Sequence, residues 1–280
     1  MALYVKNSGS FVPPNNVYVK DGGVWNPSTQ IYVYQSGVWH PLFARLTALT
    51  STVDVDLFTL FGSPTVPITA VYAVPSGVTI SSSSSSNNAI TASGFPTGSI
   101  INIINAGTIT GAGGAGGDRV DGSGRLGASK PGIKGGTAIF TRNTTYITNT
   151  GTIAGGGGGG GSGGRTNRGG ESYDDYTGNG GGGAGTIVGS GGGGAGPAAA
   201  SGTATTGGAG NSYYSNPGSS EQQYGSAGGA GGALGQPGSR GTPNPDFDGT
   251  NLGGDAGNAI DGISYTTKTV SGTILGLEVG

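Results

Sequence analysis

The chain has 280 residues, of which 65 are glycine and only 9% are charged, with a formal net charge of −2. Glycine is enriched about threefold over ordinary usage, and a hydrophobic fraction of 33% excludes one large Leu/Ile/Val core. Twelve scattered basic residues leave no electrostatic footprint for nucleic acid, and the absence of cysteine excludes a disulfide framework or thiolate zinc site.

The low charge also argues against the common kind of disorder, which pairs low hydrophobicity with high net charge. No apolar run approaches the length of a membrane span, so no membrane insertion is expected. The opening Met1-Ala2-Leu3-Tyr4-Val5-Lys6 lacks the pattern of a signal peptide. Work outside a cell would then follow assembly or lysis.

Residues 1–44 carry a triple repeat. Tyr4-Val5-Lys6-Asn7-Ser8-Gly9-Ser10-Phe11, Tyr18-Val19-Lys20-Asp21-Gly22-Gly23-Val24-Trp25 and Tyr32-Val33-Tyr34-Gln35-Ser36-Gly37-Val38-Trp39 start fourteen residues apart. Tyr-Val is β-prone, the glycine-bearing centres favour tight turns, and proline closes each unit. The pattern predicts three small hairpins in a meander or rolled sheet, with Phe11, Trp25 and Trp39 opposite their tyrosines. Trp25 and Trp39 read chiefly as core, with other faces left for attachment. His40 stands where a sister unit has Asn26, which makes it structural. The stretch from 3 to 42 resembles the Tyr-Val-Lys-x-Gly-Gly-Val-Trp repeats of phage minor tail and tail-fibre proteins. That resemblance implies an attachment module that docks on the virion.

Residues 45–106 read as a β-rich connecting domain. Leu57-Phe58-Thr59-Leu60-Phe61 and Ile68 to Val74 are expected strands, the second bounded by Pro67 and Pro75. Ser81 to Ser86 reads as a linker or an edge strand.

Residues 107–280 are the glycine-rich part. Gly107-Thr108-Ile109-Thr110-Gly111 recurs at 151, 185 and 272, with Asn105 and Asn149 upstream of the first two copies. A flexible linker is featureless, whereas here a β-like step leads into a glycine tract in the first three copies. Glycine disfavours α-helix and sheet, and the seven glycines from Gly155 to Gly161 break the collagen register. The remaining ordered form is polyproline II, with three residues per turn and no internal hydrogen bonds. Its backbone groups must be paired sideways, which predicts a packed bundle.

Aromatic and charged residues are confined between the tracts. The stretch 165–179 holds Arg165, Arg168, Tyr173, Asp174, Asp175 and Tyr176; 211–226 holds Tyr213, Tyr214 and Tyr224; 236–252 holds Arg240, Asp246 and Phe247. Tyrosine among serine, glycine and asparagine is the composition of binding loops, so these residues are the candidate receptor-binding set. Pro197 to Thr206 is the bland exception.

Alternating glycine tracts and tyrosine-bearing loops over roughly 107–265 resemble the long-tail-fibre tip adhesins of T-even-type phages. The resemblance implies a polyglycine-II sandwich whose distal loops bind an outer-membrane receptor, at the tail or tail-fibre tip of a virion. The N-terminal triple repeat departs from that family.

Catalytic chemistry is not legible. No Ser-His-acid set is readable, and Asp174-Asp175 point to opposite sides of an extended chain. Asp246-Phe247-Asp248-Gly249 lacks the downstream glutamate of a calcium loop. Gly-x-Gly-x-x-Gly matches arise by chance in such tracts, and Asn143-Thr144-Thr145 is a glycosylation signal only in a eukaryotic secretory setting. The expectation is a mostly β and irregular protein with almost no α-helix. Its expected role is that of a non-enzymatic, cofactor-free adhesin that meets a bacterial surface receptor (protein or glycan) and attaches to other phage tail proteins. A purely structural virion protein is the alternative, and an ice-binding protein a more distant one.

Overall fold

Short β-branched runs separated by turns leave the chain no long element, so its apolar residues must meet through stacking. The computed structural model describes residues 5–7, 10–12, 17–21, 23–35, 37–118, 130–163, 178–193, 198–212, 227–242 and 252–280. Three hairpins come first: β1 (Val5–Asn7) with β2 (Ser10–Val12), β3 (Val17–Asp21) with β4 (Val24–Ser28), and β5 (Gln30–Gln35) with β6 (Val38–Thr47). Gly23 and Gly37 take φ of 86° and 84° at the tips of the second and third, a turn conformation that glycine adopts without strain.

From β6 onward the chain winds into five coils of three strands. The first is β6, β7 (Thr52–Val53) and β8 (Val55–Asp56). The second is β9 (Thr69–Val74), β10 (Thr79–Ser81) and β11 (Asn88–Ala92). The third is β12 (Ile100–Asn105), β13 (Thr108–Thr110) and β14 (Thr137–Thr141). The fourth is β15 (Thr145–Asn149), β16 (Thr152–Ala154) and β17 (Asn258–Asp261). The last is β18 (Thr266–Val270), β19 (Thr273–Leu275) and β20 (Leu277–Val279). Equivalent strands pair in parallel to give three sheets, a three-sided solenoid; β5 adds to the edge of β6 in the antiparallel sense.

The interior is a set of aligned columns. Ile80, Ile109, Ile153 and Ile274 stack on one side; Val55, Ile90, Ile139 and Ile260 on the next; Leu46, Tyr72, Ile103 and Ile147 on the third. Each fully buried isoleucine contributes about 1.5–3 kcal/mol. At one corner Asn105 and Asn149, both fully buried, form a ladder. Asn105 Nδ2 donates to Asn149 Oδ1 at 2.7 Å, and Asn149 Nδ2 donates to the Thr273 carbonyl at 3.1 Å. The asparagine upstream of the Gly-Thr-Ile step thus satisfies the turn between two sheets.

The corner between the second and third sheets changes from coil to coil. Asp54 spans it in the first coil, residues 82–87 in the second, and Gly276 in the fifth. In the third and fourth coils it opens into excursions 111–136 and 155–257, which make ten extended segments. They are 111–117 (helix I), 130–136 (II), 155–163 (III), 178–185 (IV), 189–193 (V), 198–203 (VI), 207–212 (VII), 227–233 (VIII), 236–242 (IX) and 252–257 (X).

Along helix III every third N–H finds the same neighbour. Gly156, Gly159 and Ser162 donate to Gly136, Ile133 and Lys130 of helix II. Gly157, Gly160 and Gly163 donate to Ala184, Gly181 and Gly178 of helix IV, and Gly158 and Gly161 donate to Gln236 and Ser239 of helix IX. Its carbonyls serve three more neighbours: Gly157 and Gly160 accept from helix I, Gly158 and Gly161 from helix VIII, and Gly156 and Gly159 from helix X. This three-residue period is that of polyproline II. Helix IV is surrounded in the same way by I, III, V, VI, VII and VIII. The bundle is therefore hexagonal, with rows II–I–V, X–III–IV–VI and IX–VIII–VII.

The bundle grows out of the solenoid without a break. The β13–β16 ladder continues as Gly111 N to Ala154 O, Gly114 N to Gly157 O and Gly117 N to Gly160 O. Ser82, fully buried in the serine run, accepts the Ala112 N–H at 2.6 Å. That run is neither linker nor edge strand beyond Ser81; it is the turn on which the bundle rests.

Other expectations change. Leu57–Leu60 is a single turn of helix, α1, because Asp56 caps it by accepting from Phe58 N at 3.1 Å and Thr59 Oγ1 at 2.7 Å. The 185–189 copy of the repeat is the turn from helix IV to helix V, where Ile187 O accepts from Gly113 N. Segments 130–136, 198–203 and 236–242, expected between tracts, are bundle helices. A rim helix buries only part of its circumference and so accepts Ile133, Lys134 or Arg240 on the rest.

In the hairpins the aromatic lies opposite Lys6, Lys20 or Tyr34, while Tyr18 and Tyr32 face Pro27 and Pro41. β1–β2 and β3–β4 each form their own two-stranded sheet, so no continuous meander forms among the described residues. His40 lies in β6 opposite Val33.

A Cβ on Gly159 would lie 1.8 Å from the Ala115 carbonyl oxygen, whereas one on Gly193 meets nothing within 4 Å. Gly159→Ala is expected to cost at least about 3 kcal/mol and Gly193→Ala to stay within about 0.5 kcal/mol. Denaturant unfolding of the two variants measures the contrast; equal effects would contradict the packing.

Candidate functional site

Helix direction alternates through the bundle. Helices I, III, V, VII and IX run away from the solenoid, and II, IV, VI, VIII and X return. The near end abuts the solenoid: Gly235 packs on Leu275 and Gly276, and Thr186 Oγ1 lies 2.8 Å from Thr110 Oγ1. The helix ends at 118, 130, 163, 178, 193, 198, 212, 227, 242 and 252 therefore all lie at the far end. With about 3.1 Å of rise per residue, helix III sets that end roughly 25 Å from the solenoid.

Polar side chains appear where the helices finish. Ser162, buried in helix III, accepts from Lys130 N and donates to Lys130 O, both at 3.1 Å. Asn211 Oδ1 accepts from Asn179 N at 2.7 Å, tying helix VII to helix IV. Asp118 accepts from Gly193 N at 3.0 Å, joining helix I to helix V, and its other oxygen is 3.7 Å from Lys130 Nζ. That ion pair is open to solvent and worth little; the backbone contact sets Asp118 in place. The sequence signal for these end ties is a single Ser, Asn or Asp where a glycine run stops.

Of the candidate binding residues, Arg240 is described. It sits exposed on helix IX, in the outer IX–VIII–VII row and near the far end. Arg165, Arg168, Tyr173, Asp174, Asp175, Tyr176, Tyr213, Tyr214, Tyr224, Asp246 and Phe247 lie outside the described residues. Among the described residues no three His, Asp or Glu side chains come together as a metal site.

A second surface was misread in the sequence. Trp25 and Trp39 are each 65% exposed, and Tyr18, Val24 and Tyr34 are exposed as well. They are not core: Trp25 lies on the two-stranded β3–β4 hairpin, and Trp39 on the part of β6 that pairs with β5 alone, so both rings stay open to solvent. Lys20 Nζ lies 5.8 Å from the Trp25 ring, and Tyr34 and Trp39 meet at 5.1 Å between ring centres.

Ser162→Ala leaves the Lys130 N–H without its partner, while the Lys130 carbonyl keeps the Ser162 N–H, and is expected to cost about 1–3 kcal/mol. Asp118→Ala, which breaks an exposed pair and one backbone contact, is expected to cost about 1 kcal/mol or less. Thermal melts of the two variants rank the end ties.

The family model "Phage tail fibre adhesin Gp38" matches residues 45–279. In fold the chain is similar to a solved structure, the gp37–gp38 adhesin tip complex of the bacteriophage S16 long tail fiber. The match has a TM-score of 0.53 and 20% identity, and covers 85% of this chain and 83% of that one. No curated protein matches the sequence. The triple repeat lies outside the family match, while solenoid and bundle together fill it. The family places the chain at the tail-fibre tip of a virion. The chain belongs to the Gp38 family of phage tail fibre adhesins.

Proposed function

We propose that the far-end connections of the bundle bind a receptor on the bacterial surface, with Tyr173, Tyr176, Tyr213 and Tyr214 as principal contacts. Arg165, Arg168, Asp174, Asp175, Tyr224, Arg240, Asp246 and Phe247 complete the contact set. The observation that carries this reading is the alternation of helix direction, which brings one end of all ten helices to the face opposite the solenoid. Glycine-lined helices offer little side-chain chemistry of their own, so recognition falls to the residues between them. Tyrosine supplies contact area at low entropic cost, and protein and glycan receptors both suit it. Replacing the four tyrosines together with serine is expected to lower adsorption of phage at least about tenfold, with the bundle's melting unchanged. Purified protein is expected to compete with phage for cells. Absence of competition would favour a purely structural virion role.

The hairpin repeats are the proposed attachment module. Support comes from their exposed Trp25, Trp39, Tyr18 and Tyr34, a cluster of residue types enriched at protein interfaces, and from the S16 relative, whose structure holds gp37 beside gp38. The partner is accordingly another tail-fibre protein. Trp25→Ala with Trp39→Ala is expected to weaken assembly onto virions by about 2 kcal/mol or more, measured as copies per particle. Stability should change little, since neither ring is buried; undiminished incorporation would count against the assignment.

A further inference from the structure

The two ends of the solenoid differ in a way that neither the family nor the receptor reading addresses. Stacked parallel strands leave open edges at both ends, and an open edge is a template for another chain. At the C-terminal end β18, β19 and β20 are each the last strand of their sheet. Their surroundings are apolar enough to attract a partner: Tyr265, Val270, Leu275 and Leu277 are exposed.

Two interior positions break the pattern there. Lys268 pairs in register with Ile147, and Glu278 with Ile260, so both stand in columns filled by aliphatic or aromatic side chains in every earlier coil. Register fixes the face a strand residue takes, so both point across the interior. Lys268 Nζ and Glu278 form an ion pair, each side chain about a quarter exposed. The third column still ends on Ile274, packed against the core. At the opposite end Val55 and Leu46 continue the columns, β7 and β8 are open edges, and Val53 and Leu49 are exposed.

We infer that the Lys268–Glu278 ion pair closes the C-terminal end of the solenoid against stacking of the first coil of a second copy. An apolar last coil would meet the open first coil of the next molecule. That contact joins two different faces, so it does not close on itself and would grow into open-ended filaments. Bringing a second copy down on the ion pair would bury charge with no further partner, which opposes contact. The inference is independent of receptor binding and of attachment to a fibre.

Sedimentation velocity over a range of concentrations tests it on the full chain. The pair Lys268→Leu with Glu278→Leu is expected to self-associate at a concentration lower than wild type by about tenfold or more, the size expected from covering one leucine side chain. The species should grow with concentration and show no fixed stoichiometry. The swapped pair Lys268→Glu with Glu278→Lys is expected to sediment as wild type. A folded leucine pair that sediments as wild type at every concentration would overturn the inference, and so would association of the swapped pair as strong as that of the leucine pair. Should the leucine pair lose the wild-type circular dichroism, Lys268→Thr with Glu278→Thr is read with the same two outcomes.

Discussion

The lateral backbone hydrogen bond, repeated every third residue, is the interaction on which the rest of this molecule depends. A polyproline-II helix satisfies none of its own amides, and a buried amide without a partner costs roughly 1–3 kcal/mol. Helix III meets that demand with six neighbours at once. Six neighbours require backbones at contact distance on every side, and that distance has no room for a Cβ: from Gly155 to Gly160 the ideal atom would fall 1.8–2.1 Å from a carbonyl oxygen. Glycine is the condition for the hydrogen bonds, and the hydrogen bonds offset the exceptional entropy that glycine loses on ordering.

The solenoid solves the first difficulty of such a bundle, which is how to begin it. Nothing in an isolated glycine tract sets its register. Here β13 and β16 pair through Ile109 and Ile153 immediately ahead of the first bundle bond along the chain. The ladder then changes from the spacing of a parallel sheet to one bond in three, between the same two chain segments. The same happens where helices II and X lead into β14 and β17. Hydrophobic columns thus align a part of the protein that has almost no hydrophobic side chains.

Much of this was legible from residue order, and the illegible part has a physical cause. Uninterrupted glycine marks the surrounded helices: the run from Gly155 to Gly161 is helix III, and Gly180 to Gly183 lies in helix IV. Rim helices use glycine only on the faces they bury, as at Gly132 and Gly135 or Gly238 and Gly241, so they read as ordinary polar segments. The solenoid was hidden because its coils are unequal. Asn105 and Asn149 are 44 residues apart, while Asn149 and Thr273 are 124 apart, since the bundle is inserted between them. A repeat interrupted by its own insertions shows no period. The Gly-Thr-Ile steps were its visible trace, and three of the four proved to be equivalent strands. Exposure of Trp25 and Trp39 was illegible for another reason: an aromatic in a β-prone repeat looks the same whether a second layer covers it or not.

Continuity between β-strand and bundle helix bears on how the molecule carries load. Tension applied at the far end runs along the helix axes, parallel to the strands from which they arise. Lateral bonds across that axis are stressed in shear, many at once, rather than opened one after another as in a peeled edge. The Gly111 to Gly117 segment alone shares its tension with helices II, III, IV and V and with the turn at Ser82. Pull on the far end of the bundle is thus transmitted into the solenoid through continuous, laterally bonded backbone.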